Sequence, residues 1–214
     1  MSLFLGYIHY MMYDKIMFQE NILEDLLNLL DEDEKNSLKK ELDAKFLIEK
    51  GDLKDIIDES NIHGWLDERV KRSENRLAKT VLYLLKDFTI KDLEDKFYEI
   101  GKSYEAGNSP SQVFNFISSK FLDGMPCDHA LMILKNEDDE VIFNIARDVH
   151  KEIWEKYLDP KIYWSLRDSF IAGSLEKSNL KYKKIDENYV IGKWYSGFFK
   201  KYHRLFRRRA QRNY

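Results

Sequence analysis

A stretch of about twenty residues near the start of the chain recurs, ungapped, 54 positions later. Ile8-His9-Tyr10-Met11-Met12-Tyr13-Asp14-Lys15-Ile16 aligns with Ile62-His63-Gly64-Trp65-Leu66-Asp67-Glu68-Arg69-Val70. The correspondence runs on through Glu20-Asn21 onto Glu74-Asn75 and Leu23 onto Leu77. An internal repeat constrains architecture before any single motif does, because each copy must bury the same face.

On a wheel turning 100° per residue, Met12, Tyr13, Ile16, Glu20, Leu23, Leu27 and Leu30 fall within about 60° of His9. Leu66, Asp67, Val70, Glu74, Leu77, Val81 and Leu84 hold the same places around His63. His9, Glu20, His63 and Glu74 therefore sit on apolar stripes rather than on wet faces. Each repeat adds a second helical pattern, Asp33–Lys50 and Ile90–Ala106, closing at Gly51 and Gly107, the usual helix stop. Asp52 then caps a short helix over Leu53–Glu59, and Ser109 with Pro110 opens another.

The expected arrangement over residues 1–123 is a duplicated helical-hairpin bundle, with repeats at about 8–59 and 62–117. Glu20 lies eleven residues beyond His9, about 16 Å along one helix, so the two cannot meet within a copy. Antiparallel packing about a twofold would bring His9 to Glu74 and His63 to Glu20 as polar pairs inside the core. A buried carboxylate needs such a partner. Neither Glu-x-x-His nor His-Glu-x-x-His occurs, so no metal site is assigned to these residues.

Asp123-Gly124-Met125-Pro126 breaks the helical pattern. In residues 124–192, Ala130–Lys135 and Glu140–Ala146 flank an acidic turn and predict a hairpin. Lys181–Lys184 and Tyr189–Lys193, turning at Asp186-Glu187-Asn188, predict a second. Helices are expected between them at His150–Tyr157 and Pro160–Ser174. The fold class is thus α+β, predominantly helical: a duplicated bundle, a small antiparallel β-hairpin region and a C-terminal basic amphipathic helix. Cys127, His129, Arg147 and His150 gather in this segment as candidates to line a pocket. Cys127 with His129 is only half of a zinc site, and a Cys/His nucleophile would need a base that only the fold can supply. Arg147 with Asp168, or Asp148 with Arg167, is expected as a structural ion pair.

Charge is split between the ends. Residues 193–214 hold eight of the 35 basic residues and none of the 38 acidic ones, so this tail carries +8 and the rest of the chain −11. Wound as a helix, the tail sets Trp194, Tyr195, Phe198, Phe199, Tyr202, Leu205 and Phe206 on one face. Lys193, Lys200, Lys201, Arg204, Arg207 and Arg208 take the other, with Arg209 completing a triple arginine. Such a helix suits nucleic acid, through phosphate contacts and stacking, or an anionic membrane surface.

No Gly-rich phosphate loop, Walker motif or Gly-x-Ser-x-Gly occurs, which removes the main NTPase, Rossmann and α/β-hydrolase readings. The apolar start, residues 1–13, lacks a basic flank and a cleavage site, and no run reaches the length of a membrane span. The lone Cys127 fits a reducing compartment, so the expected location is cytoplasmic. The function expected is a non-enzymatic binding or adaptor protein whose basic tail residues Lys200, Lys201, Arg204, Arg207, Arg208 and Arg209 contact an anionic partner. The alternative is a small-molecule enzyme or sensor with a His/Glu/Cys-lined pocket between bundle and sheet. No cofactor is implied, and a spare apolar face of the duplication could join copies of the chain into a homo-oligomer.

Overall fold

The computed structural model describes residues 5–124, 128 and 130–193. Among the described residues, eight α-helices and four strands make an α+β fold: α1 Tyr7–Leu27, α2 Glu32–Phe46, α3 Leu53–Ile56, α4 Ile62–Leu84, α5 Ile90–Lys102, α6 Pro110–Lys120, β1 Leu131–Asn136, β2 Glu140–Ile145, α7 Lys151–Trp154, α8 Lys161–Ser174, β3 Leu180–Ile185 and β4 Asn188–Lys193. The expected basic helix at 193–214 lies, beyond Lys193, outside the described residues.

Both long helices bury the stripe their period prescribes: Met12, Tyr13, Ile16 and Leu23 on α1, Leu66, Leu77, Val81 and Leu84 on α4. They run parallel and in register. The rings of His9 and His63 meet edge-on at 5.1 Å, and Gln19 Nε2 donates to Ser73 Oγ at 3.2 Å, both contacts joining positions 54 apart. The antiparallel crossing expected for the two repeats is therefore not the one adopted. The reason lies in α2, which doubles back along α1 through Lys39–Glu24 at 2.6 Å and also lies antiparallel to α4 through Arg76–Asp43 at 2.7 Å. Residues 47–61 complete the return, so α4 starts level with α1. The second helices stop earlier than their glycines suggest, at Phe46 and Lys102. Gly107, at φ +112°, instead shapes the approach to α6, where Ser109 and Gln112 form a reciprocal cap and Pro110 takes the first turn.

Helix α8 lies antiparallel on α5 with almost no side-chain spacer. A Cβ on Gly101 would stand 2.1 Å from the Phe170 carbonyl oxygen, and one on Gly173 would stand 2.1 Å from that of Tyr98. Both hairpins form where expected and combine into one antiparallel sheet of order β1-β2-β4-β3. Asp186 takes the left-handed conformation, φ 53°, that the tight β3–β4 turn requires. One sheet face carries Val141, Phe143, Leu180, Tyr189 and Ile191 into the main core. There Phe170 meets Phe18, Tyr104 and Phe121, with ring centroids 5.4–5.5 Å away. The opposite face carries a separate cluster of Ile142, Ile185 and Val190.

Candidate functional site, a buried charged cluster

Four of the buried ionisable groups, Glu74, Asp123, His150 and Arg167, converge where α4, α7 and α8 meet the turn after α6. Asp148 starts the construction. Its Oδ1 accepts the backbone N–H groups of His150 (3.0 Å) and Lys151 (3.1 Å), and its Oδ2 accepts from Trp164 Nε1 (2.9 Å). This fixes His150 at the head of α7 with its ring turned inward.

The imidazole bridges two carboxylates. Nδ1 donates to Glu74 Oε2 at 2.9 Å, and Nε2 donates to Asp123 Oδ1 at 3.3 Å. Tyr163 stacks on the ring at 3.7 Å and points its hydroxyl at Asp123 Oδ1, 3.4 Å away. One turn along α8, Arg167 Nη2 reaches Asp123 Oδ2 at 2.5 Å, while its Nη1 donates to the Tyr182 hydroxyl at 2.9 Å. The Tyr182 hydroxyl in turn donates a hydrogen bond to Asp168 Oδ1 at 2.8 Å. Trp154, one turn beyond His150, donates its indole N–H to Glu74 Oε2 at 3.0 Å. The centre of the cluster is buried, with His150 and Arg167 1% exposed, Glu74 2% and Asp123 5%, while Asp168 at its edge is half-buried.

Burial sets the electrostatics. On its own it would strip the proton from His150, but Glu74 and Asp123 overcome it and push the imidazolium pKa up to about 9. Burial would likewise keep Asp123 protonated, yet Arg167 and His150 hold its carboxyl well below the usual range. Asp168 goes the other way: burial raises it, with Arg167 and Tyr182 only partly opposing. Lys15, also buried, is lowered by desolvation and raised by the charge of Asp123.

A second ionic group flanks the first. Glu20 accepts from Arg76 Nε at 2.8 Å and Ser73 Oγ at 3.0 Å, and Arg76 continues to Asp43. The two repeat-equivalent glutamates are thus both buried, but neither meets a repeat histidine. Glu74 belongs to His150 and Trp154, Glu20 belongs to Arg76 and Ser73, and His9 faces His63. The expected pairs His9–Glu74 and His63–Glu20 do not form, because in-register parallel packing keeps each histidine about 16 Å along the axis from the opposite glutamate. His9 Nδ1 accepts the Gly6 N–H at 2.9 Å, which places the His9 proton on Nε2. That nitrogen then offers no lone pair to a metal, and among the described residues no three His, Cys, Asp or Glu side chains gather to hold one.

Arg167 pairs with Asp123 and, more loosely, with Asp168 at 3.7 Å, not with Asp148. Arg147 is exposed just past β2, next to Asp148 in the chain. Cys127 and His129 lie outside the described residues, as do Lys200, Lys201, Arg204, Arg207, Arg208 and Arg209. Reading by motif missed Asp123, which looked only like a helix break, and missed Trp154, Tyr163 and Tyr182. A signal existed for some of them. His150/Trp154 and Tyr163/Arg167 are i,i+4 pairs mixing polar and aromatic groups on faces that otherwise read as core.

The chemistry open to this cluster is narrow. A general base needs an imidazole nitrogen with a free lone pair near a substrate. Both His150 nitrogens carry protons and donate them to carboxylates, and the hydroxyl nearest the ring, that of Tyr163, is itself turned to Asp123 with its pKa raised by burial. The adjoining cavity, lined by Phe18, Ile22, Leu77, Trp154, Tyr163 and Leu166, has a volume of about 10 Å³, room for about one water. A larger surface groove of about 240 Å³ opens between residues 102–108 and 173–178, at a distance from every expected site residue in sequence and lined by Lys102, Glu105, Asn108, Glu176 and Lys177. The cluster is a clamp. It ties α4, α7, α8, β3 and the turn at Asp123 into one unit.

No protein family, curated protein or solved structure matches the chain. No described helix is long and apolar enough to cross a membrane.

Proposed function

We propose that this chain is a non-enzymatic binding or adaptor protein that engages a nucleic acid through its C-terminal basic segment. The observation that carries the reading is the charge split: +8 over residues 193–214 without one acidic residue, against −11 over the rest. Three consecutive arginines, Arg207–Arg209, have no packing rationale, and arginines interleaved with aromatics suit phosphate contact and base stacking. The sealed state of the His150 cluster supports a binding role over catalysis, since a substrate has no route to its protons. Under this reading the two repeats form a rigid body that displays the segment, and the protein works in the cytoplasm.

The test is binding of the full chain to single-stranded RNA and to vesicles containing anionic lipid, across a salt series, beside a variant carrying Arg207→Glu, Arg208→Glu and Arg209→Glu. For RNA, the log–log salt slope of the wild type should exceed that of the variant by about 2, since each lost phosphate contact removes about 0.7. Binding to vesicles alone would move the reading to a membrane surface. Binding to neither would leave the segment as part of the protein's own packing.

A further inference from the structure

Two imidazoles stand apart from the clamp. His9 and His63 hold equivalent places in the repeat, and their rings meet edge-on at 5.1 Å. His9 is 2% exposed and His63 half-buried, and the Nε2 atom of each is buried with no hydrogen-bond partner among the described residues. The next turn of each helix is apolar: Met12 and Ile16 on α1 and Leu66 on α4 join one buried cluster.

A neutral pair is tolerated here; an imidazolium is not, for three separate reasons. His9 Nδ1 accepts the Gly6 N–H at 2.9 Å, so a proton placed on that nitrogen sets donor against donor and removes the cap of α1. Both rings also lie in the first turns of helices that run parallel with level starts, where the dipoles present their positive ends, and neither first turn holds an acidic residue. A second imidazolium would stand beside the first in a site with little water. Burial and the charge of His63 accordingly push His9 below the usual histidine range.

Neighbouring carboxylates do not offset this. On the 47–61 return, Glu49 binds Arg69, Asp52 pairs with Lys54, Asp58 caps Ser60, and Asp55 and Glu59 are exposed. On the two helices, Glu68 also binds Arg69, Asp67 binds Lys71, and Asp14 is exposed. Tyr13 donates its hydroxyl proton to the Glu49 carbonyl. Lys15 answers to Asp123 in the turn after α6, and that carboxylate serves Arg167 and His150.

We propose that His9 and His63 form an acid-triggered latch: while neutral they hold the level N-terminal ends of α1 and α4 together, and proton uptake parts those ends while the rest of the fold stays closed. An opened imidazole takes its proton near pH 6.5, whereas the closed His9 resists until lower pH, so opening is driven as pH falls through about 6.5. The clamp holds in this range. His150, at about 9, stays protonated, and Asp123 stays ionised. The latch is independent of the nucleic-acid reading.

Amide hydrogen exchange of the full chain at pH 7.5 and pH 5, corrected for the intrinsic rate at each pH, tests it. The reporters are the amides of Met11–Tyr13 and Leu66–Glu68, which bond to carbonyls of the two first turns. Each imidazole that must open to take its proton favours opening by up to about 30-fold at pH 5. The reporters should therefore lose about tenfold or more in protection, while α5 and α8, which contain no histidine, keep theirs. His63→Phe keeps a ring in place and leaves the Gly6–His9 hydrogen bond intact, and should shrink the loss. The double variant His9→Phe, His63→Phe, with its fold checked by circular dichroism at pH 7.5, should show almost none. An undiminished loss in both variants overturns the proposal, as does unchanged protection in the wild type. An equal loss across α5 and α8 also overturns it, since the opening would then be global.

Discussion

At the scale of single residues, His150 decides how this protein responds to pH. Its folded pKa, about 9, lies above the unfolded value near 6.5, so the folded state holds a proton that the unfolded state releases between those limits. The stability it contributes is complete below about pH 6.5 and is lost as pH rises through about 9. Thermal denaturation from pH 6 to pH 10 should show a falling Tm across that window, and His150→Gln should flatten it; an unchanged slope in the variant would assign the effect elsewhere. Asp123 acts at the other end of the scale. Its depressed pKa means its contribution is present above about pH 4 and disappears in acid. Removing one partner of so buried a pair strands the other, so Arg167→Met should cost about 3–5 kcal/mol in urea unfolding. A loss below about 1 kcal/mol, the value of an exposed ion pair, would mean that water reaches the site.

Among the elements, α5 and α8 are joined most closely, and glycine makes the approach possible. Gly101→Ala places a methyl 2.1 Å from a backbone oxygen that no rotamer change can move, so the helices must separate. The expected loss is about 3 kcal/mol, with a similar loss for Gly173→Ala, while Gly6→Ala, with open space around it, should shift the Tm little. Comparable small shifts for all three would show that the crossing is looser than described. The sequence made helix positions and both hairpins legible, because periods of 3.6 and 2 with capping residues at Ser109 and turn residues at Asp186 are local signals. It did not make helix direction legible. A 54-residue offset places His9 and His63 on equivalent stripes, but parallel and antiparallel packing bury those stripes equally well. The choice falls to α2 and the 47–61 return. The buried cluster was hidden for a related reason: Glu74, Asp123, His150 and Arg167 are dispersed over 94 positions, and nothing local to Asp123 announces an ion pair 44 residues away.

For the molecule as a whole, the consequence of that dispersal is cohesion. The helical half supplies Glu74 and Asp123, the second half supplies His150, Trp154, Arg167 and Tyr182, and none of these charges is tolerable alone in the interior. Detaching the sheet and α8 from the bundle would leave Glu74 and Asp123 without their cationic partners in a dry site, while also exposing Phe170 and the aromatic rings around it. A partly unfolded state with an intact bundle is therefore costly, and residues 5–193 should unfold as one cooperative unit rather than as a stable bundle with a separable sheet. Urea transitions followed by far-ultraviolet circular dichroism, which weights α1, α4 and α5, and by tryptophan fluorescence, in which Trp154 and Trp164 sit inside the cluster, should coincide in midpoint and slope. The Asp123→Asn variant tests the cause. It should lower both midpoints together while the cluster still couples the halves, and the two curves should separate only if the remaining Glu74–His150–Trp154 contacts are too weak to hold them. Separated midpoints in the wild type would show that the bundle folds without the clamp, and would reduce the buried charges to a local feature of α8.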